Sequence, residues 1–256
     1  MRPAARRRAA RALPAAAALA CMALHAAEPR TKPPGAPESG ATQALAVGAA
    51  VLQSTAPLSG FDIHLDGFHP MKDAPQRQME AHHYCRQVNE DFAQCVLFDA
   101  DTRQANLTGI EYIISGKLFD TLPESERRYW HPHNYEILSG QLIAPGIPGA
   151  AEHALMKRKI NSYGKTWHVW HSDATDAAAD ALPLGDPMLA WSFNRDGEAD
   201  PDLVRRRDQR MRVDTAAKRR ERTDLAPLAH PQAGADALQG RFGAPADGAS
   251  GRRPDR

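Results

Sequence analysis

Residues 79–99 read MEAHHYCRQVNEDFAQCVLFD, and this stretch decides the fold. Two runs of strand-forming residues flank the polar triplet Asn89-Glu90-Asp91, the pattern of two strands joined by a turn. Folding the stretch symmetrically about Glu90 sets Cys85 opposite Cys95, and opposed residues of an antiparallel pair have Cα atoms about 4.5–5.5 Å apart. That is within disulfide reach. The pair therefore reads either as a bridge formed in an oxidising compartment or as two small buried side chains packed across the ladder.

Working outward, residues 108–115 (TGIEYIIS) are β-branched and aromatic and read as a further strand. Residues 117–129 read as helical, with Leu118, Leu122 and an acidic turn opened by Pro123-Glu124. Strand character returns at 134–143. Leu155, Met156 and Ile160 give 148–163 a helical period, with Gly164 as its C-terminal stop, and KTWHVWH (165–171) and PMLAWSF (187–193) read as strands. Upstream, Leu45, Ala49 and Leu52 lie at helical spacing in an apolar run, 41–52, that reads as a buried helix too short to cross a bilayer. The mixture of elements and the hairpin-like connections predict an α+β fold, a largely antiparallel sheet with packed helices and disordered ends.

The ends differ in composition from this middle. Arg2, Arg6, Arg7, Arg8 and Arg11 precede an apolar run from Ala12 to Leu24, followed by the small residues Ala26 and Ala27, so 1–26 reads as a secretory signal peptide. A second route is acylation at Cys21, within a loose lipoprotein box, giving a membrane-anchored protein. Residues 27–40 read as a Pro- and Gly-rich linker, 41–225 as the folded domain and 226–256 as a disordered tail. The 256 residues are 42% hydrophobic and 25% charged, with a formal net charge of +1, which excludes a strongly basic nucleic-acid binder. Cleavage after Ala26 removes five of the 32 basic residues against 31 acids, leaving a net charge of −4. Residues 201–224 are arginine-rich with charges of both signs, and read as a solvated helix or helix pair with a modest basic face.

Histidine carries the chemistry. If 131–135 is extended, His131 and His133 project to one face and can grip a single ion. His82 and His83 are adjacent on a strand and point to opposite faces, so one at most joins them. His168 is a further candidate, and Glu80, Glu111 and Glu136 are the acids placed to support such ligands from behind. The spacing matches neither HExxH nor CxxC, and for each histidine alone a hydrogen bond within the core is the ordinary role. No GxSxG elbow, phosphate loop or dinucleotide turn is present. Trp130, Trp167, Trp170, Trp191, Tyr129, Tyr135 and Tyr163 lie near these histidines in the chain, and either fill the core or line a pocket for an apolar ligand.

The segments EAHHYCRQVNEDFAQCVLFD, GIEYIIS, YWHPHNYEILSG, YGKTWHVW and LPLGDPMLAWSF, in that order, resemble the oil body-associated protein family. The resemblance covers 41–225. It implies a domain without an established enzyme activity, whose plant members associate with seed lipid bodies. The family's histidine-bearing motifs fall on His82, His83, His131, His133 and His168, with no catalytic or ligand role attached to them. The leader suggests a bacterial, exported member, periplasmic or secreted. The expectation is a non-enzymatic domain that binds a lipid surface, an apolar ligand or another protein, with neither a nucleic-acid partner nor a transmembrane span in the mature chain. The alternative is a metal-dependent enzyme using a divalent metal at the histidine cluster, and a third is a purely structural envelope protein.

Overall fold

A computed structural model describes residues 31–172 and 179–242 of the chain. The signal peptide, Cys21 and the last part of the tail lie outside them. Seven antiparallel strands form one sheet: β1 Ile63–Pro70, β2 Gln78–Asn89, β3 Phe92–Phe98, β4 Leu107–Ile114, β5 His131–Pro132, β6 Tyr163–His168 and β7 Met188–Leu189. The order is β1-β2-β3-β4-β6-β5, with β7 also paired to β6. Helices pack around it, so the molecule is α+β.

β2 and β3 form the central hairpin. Cys85 is the register partner of Cys95, their Cα atoms are 4.0 Å apart, and the two sulfurs are joined. Side chains alternate across a strand, so register fixes the faces. Leu65 pairs with His83, Cys85 with Cys95, Cys95 with Glu111 and Ile113 with Gly164. One face therefore carries Leu65, Gly67 and His69 from β1, His83 and Cys85 from β2, Cys95 and Leu97 from β3, Glu111 and Ile113 from β4, and Gly164 and His168 from β6. Its apolar members pack with Ile137, Leu142, Met156 and Ile160 as the principal core. The opposite face of β1 and β2 carries Asp66, Phe68, Glu80 and His82 and is also buried.

Helix α1, Gly40–Leu52, is capped by the Ser39 hydroxyl, which accepts from the Thr42 N–H. It is a helix, as its spacing predicts, but none of its residues is buried. The expected helix at 117–129 is divided into α2 Gly116–Phe119 and α3 Glu124–Arg127. The expected strand at 134–143 is instead α4, Asn134–Leu138, followed by a turn at Gly140, whose φ of +81° suits only glycine well. Only Ile143 pairs with the sheet there, through an isolated bridge to Asp66. α5, Gly149–Lys159, ends before Gly164, which sits inside β6 rather than stopping the helix.

α6, Pro201–Met211, and α7, Thr215–Glu221, occupy the arginine-rich stretch. They are less solvated than the sequence suggests. Arg207 is fully buried, donates to Asp66 at 2.7 Å and to the Gln141 carbonyl at 3.0 Å, and lies over the Phe68 ring. Arg222 donates to the carbonyls of Ile137 and Leu142, each at 2.8 Å, and to Glu152. Buried cations persist only when paired and hydrogen-bonded, and both are.

The stretch read as a tail from 226 instead lies along the body as far as Phe242. Gln232 donates to the Ser162 carbonyl and accepts from the Asn134 N–H, the Gly234 carbonyl accepts from the Trp191 indole, and Leu238 is buried. These contacts are mostly polar and to backbone, so hydrophobic periodicity does not announce them.

Candidate metal centre

The face described above gathers five histidines and a glutamate from separated elements. Glu111 stands in the middle. Its Oε2 is 2.8 Å from His83 Nε2, and its Oε1 is 3.3 Å from His133 Nε2 and 3.7 Å from His131 Nε2. The two ring nitrogens of His131 and His133 are themselves 3.2 Å apart. His69 packs edge-on against His83 and His131, and its Nδ1 is 3.0 Å from His168 Nε2. All of these side chains are buried.

Glycines make the room. A Cβ on Gly164 would lie 2.6 Å from His133 Nε2 and 2.7 Å from His131 Cε1, and closer still to Glu111. Beside the cluster, His69, His83, Glu111, His133 and Glu136 border a cavity of about 20 Å³. That is space for about one water molecule.

Burial and mutual proximity set the charge states. His69 is driven well below the ordinary histidine range by burial and by His83, and His131 falls to about 3 through burial and His133. His168 also falls to about 3, through burial and then His83. His83 is the exception: burial is the largest influence and opposes its charge, but the bond to Glu111, the charges of Glu111 and Asp66 and the Ala81 carbonyl together outweigh it and raise the imidazole above its ordinary range. Glu111 is resisted by burial too, yet His133 and His83 hold it well below the usual carboxylate range. Glu136 has no such support, and burial with the nearby Glu111 pushes it well above that range.

A second cluster lies on the other face. His82 Nδ1 is 3.3 Å from Asp66, its Nε2 is 3.5 Å from Glu80, and His64 Nε2 is 3.2 Å from His82. Here Asp66 is bound by Arg207 and Glu80 by Arg210, so guanidinium groups already answer the carboxylates.

The sequence candidates are thus divided. His83, His131, His133 and His168 meet on one face, and His82 with Glu80 lies on the other. Glu111, expected behind the ligands, stands among them, and Glu136 borders the cavity. His69, Ser162 and Gly164 carry no sequence signal that marks them. His69 belongs to a strand the sequence reading did not identify, and the other two matter only once β6 is placed against β5.

The aromatic residues mostly fill space. Tyr163 stacks on Phe119, and Trp191 lies beneath the Lys72 ammonium and beside Gly234. A larger cavity of about 570 Å³ is elsewhere, against α6 and α7, and is lined by Tyr135 together with Asp196, Asp208, Arg205 and Arg219. Its lining mixes these charged groups with Ala199, Pro201, Val204 and Val213, and Tyr135 is its one aromatic residue.

Fold and site together define an α+β protein with an antiparallel sheet and a buried centre of imidazoles and carboxylates. A sequence profile described as protein of unknown function (DUF1264) matches residues 55–226. Oil body-associated protein 2A of Zea mays is 41% identical over 195 residues, covering 75% of this chain and 76% of the relative. Oil body-associated protein 1A of Zea mays is 37% identical over 210 residues, 82% of this chain and 85% of the relative. Oil body-associated protein 1B of Arabidopsis thaliana is 36% identical over 189 residues, 74% and 77%. The chain belongs to the oil body-associated protein family. No solved structure matches it.

Proposed function

We propose that the protein docks on a neutral lipid surface through α1. The observation that carries this reading is the exposure of an apolar helix. Leu45, Val47, Val51 and Leu52 are 74%, 67%, 79% and 85% exposed, and Leu58, in the turn Ala56–Leu58 that follows, is 65% exposed. A helix that is apolar all round is ordinarily buried. From Ser39 to Phe61 no side chain is ionisable, so nothing on this segment favours water strongly.

At 100° per residue, Leu45 and Leu52 lie on one side of the axis and Val47 and Val51 on the roughly opposite side. A protein partner covers one face of a helix, whereas a lipid surface can receive an uncharged helix over most of its circumference. The thirteen residues extend about 20 Å, short of the roughly 30 Å hydrocarbon core, which favours lying in the surface over spanning. Among the described residues no helix is long and apolar enough to cross a membrane. The family relatives are named for association with oil bodies, which agrees in kind with a neutral, fluid apolar surface. Each large side chain gains about 1.5–3 kcal/mol on full burial, so four gain about 6–12 kcal/mol, of the same order as the roughly 4–15 kcal/mol that association costs. Binding by α1 alone is therefore reversible. Location in the periplasm or outside the cell belongs to the same proposal, supported by the arginine-then-apolar leader.

Flotation with a triacylglycerol emulsion coated in zwitterionic lipid tests this. The wild-type chain floats, and neither anionic lipid nor added salt strengthens the binding. The triple variant Leu45→Gln, Val51→Gln, Leu52→Gln stays in the aqueous fraction while remaining folded. A wild-type chain that never floats, or a variant that floats equally well, contradicts the reading.

A further inference from the structure

We propose that His131, His133 and Glu111 bind one divalent transition-metal ion of the kind that accepts imidazole nitrogen, such as zinc, iron(II) or cobalt, with His83 holding the second oxygen of Glu111. This is independent of lipid docking.

Geometry carries the proposal. His131 Nε2, His133 Nε2 and Glu111 Oε1 form a triangle with sides of 3.2, 3.3 and 3.7 Å. The circle through its corners has a radius of about 2.0 Å, close to the roughly 2.0–2.2 Å bonds that zinc makes to imidazole and carboxylate. An ion just off the plane of that triangle reaches all three atoms, and His83 approaches from the other carboxylate oxygen at 2.8 Å.

Hydrogen bonds on the far sides of the rings orient them for this. Ser162 Oγ donates to the Lys159 carbonyl at 2.7 Å, so it accepts from His133 Nδ1 at 2.8 Å. That bond puts the proton of a neutral His133 on Nδ1 and leaves Nε2 a bare lone pair. His83 Nδ1 donates likewise to the Ala81 carbonyl at 3.0 Å. These two rings are therefore anchored by their outer nitrogens to a hydroxyl and a carbonyl, as metal-bound histidines usually are, and turn their inner nitrogens toward Glu111, whereas Nδ1 of His131 is buried without a hydrogen-bond partner. The Nε2 atoms of His131 and His133 face each other and the same Glu111 oxygen, and a single divalent ion among them satisfies these three contacts at once.

Glu136 gives an independent pointer. It is 5% exposed, its Oε1 has no hydrogen-bond partner, and it offers an oxygen within 4.8 Å of ligand atoms of His69 and His131. It also borders the cavity of about 20 Å³. The cavity suits one water as a further ligand, with the Glu136 carboxyl as its hydrogen-bond partner. The set of Asp66, Glu80 and His82 also holds unpartnered atoms, Asp66 Oδ2 and His82 Nε2, but Arg207 and Arg210 already supply the positive charge beside its carboxylates.

The test uses the full chain purified without a histidine tag. Elemental analysis finds about one zinc, iron or similar ion per chain. After removal by chelator, added Co²⁺ produces a visible d–d absorption band that saturates at about one equivalent, and added Zn²⁺ raises the melting temperature by several degrees. Glu111→Gln, close in shape to the original, and His131→Ala each weaken Co²⁺ binding at least about tenfold. Glu80→Gln, on the opposite face, leaves the band unchanged. The wild-type arm stands even where a variant fails to fold. Trace metal on isolation, with neither a cobalt band nor a thermal shift on addition, overturns the proposal. Full metal binding by folded Glu111→Gln and His131→Ala overturns it as well.

Discussion

Glu111 and Glu136 border one cavity, yet their neighbours drive them in opposite directions. Imidazoles at 2.8 and 3.3 Å keep Glu111 charged, while Glu136, with one oxygen unpartnered, is held protonated by burial and by the charge on Glu111. Glu80 on the other face repeats the second case. Burial and then Asp66 push it up to about 8, against the pull of His82 and Arg210. Because its ordinary value is 4.5, the folded chain keeps a proton that the unfolded chain releases as pH rises through that value. Stability from this group is therefore full at low pH and is lost between about 4.5 and about 8. Glutamine imitates the protonated acid. In urea titrations across this range, Glu80→Gln becomes steadily more stable relative to wild type as pH rises. A pH-independent difference between the two would show that Glu80 is already ionised throughout.

At the scale of elements, β6 is defined by what its glycine omits. Gly164→Ala places a methyl group against His131, His133 and Glu111 within a close-packed face, and overpacking of this kind costs about 1–3 kcal/mol. Gly149, which opens α5, has nothing within 4 Å of an added Cβ, so Gly149→Ala leaves stability nearly unchanged. Chemical denaturation of the two variants separates them, and equal midpoints would mean the cluster yields without strain. The β2–β3 hairpin was legible because its strand-like runs are separated by an unmistakable polar turn, and the symmetry about Glu90 gives the observed register. β1 was not legible. Its sequence IHLDGFHP is buried from Leu65 to Pro70 on both faces and holds Asp66 and His69 there, so no apolar alternation survives. α4 is a single turn whose apolar residues imitate a strand. Strand alternation separates His82 from His83 without telling which of them joins the cluster. His131 and His133 do meet, but not through an extended 131–135: only His131–Pro132 is strand, and His133 has helical backbone as the N-cap of α4. That Glu111 lies among them, with Ser162 and Ala81 fixing the rings, depends on five strands coming together and is absent from any local pattern.

Across the whole molecule, apolar surface is distributed in two contrasting ways. The body encloses its core beneath α4, α5 and the 3₁₀ turn Thr223–Leu228, and it satisfies even buried arginines with carbonyls and carboxylates. α1 keeps valine and leucine in solvent. The sequence identified the helix but placed it in the core, because an apolar run does not say whether the medium that receives it is protein or lipid. An environment-sensitive NBD fluorophore on Leu52→Cys, read against the same labelling of the unsubstituted chain, reports that medium directly. On a neutral lipid emulsion its emission shifts to the blue and brightens, with the same amplitude at low and high salt. Emission that stays at its aqueous value under every lipid condition contradicts the account.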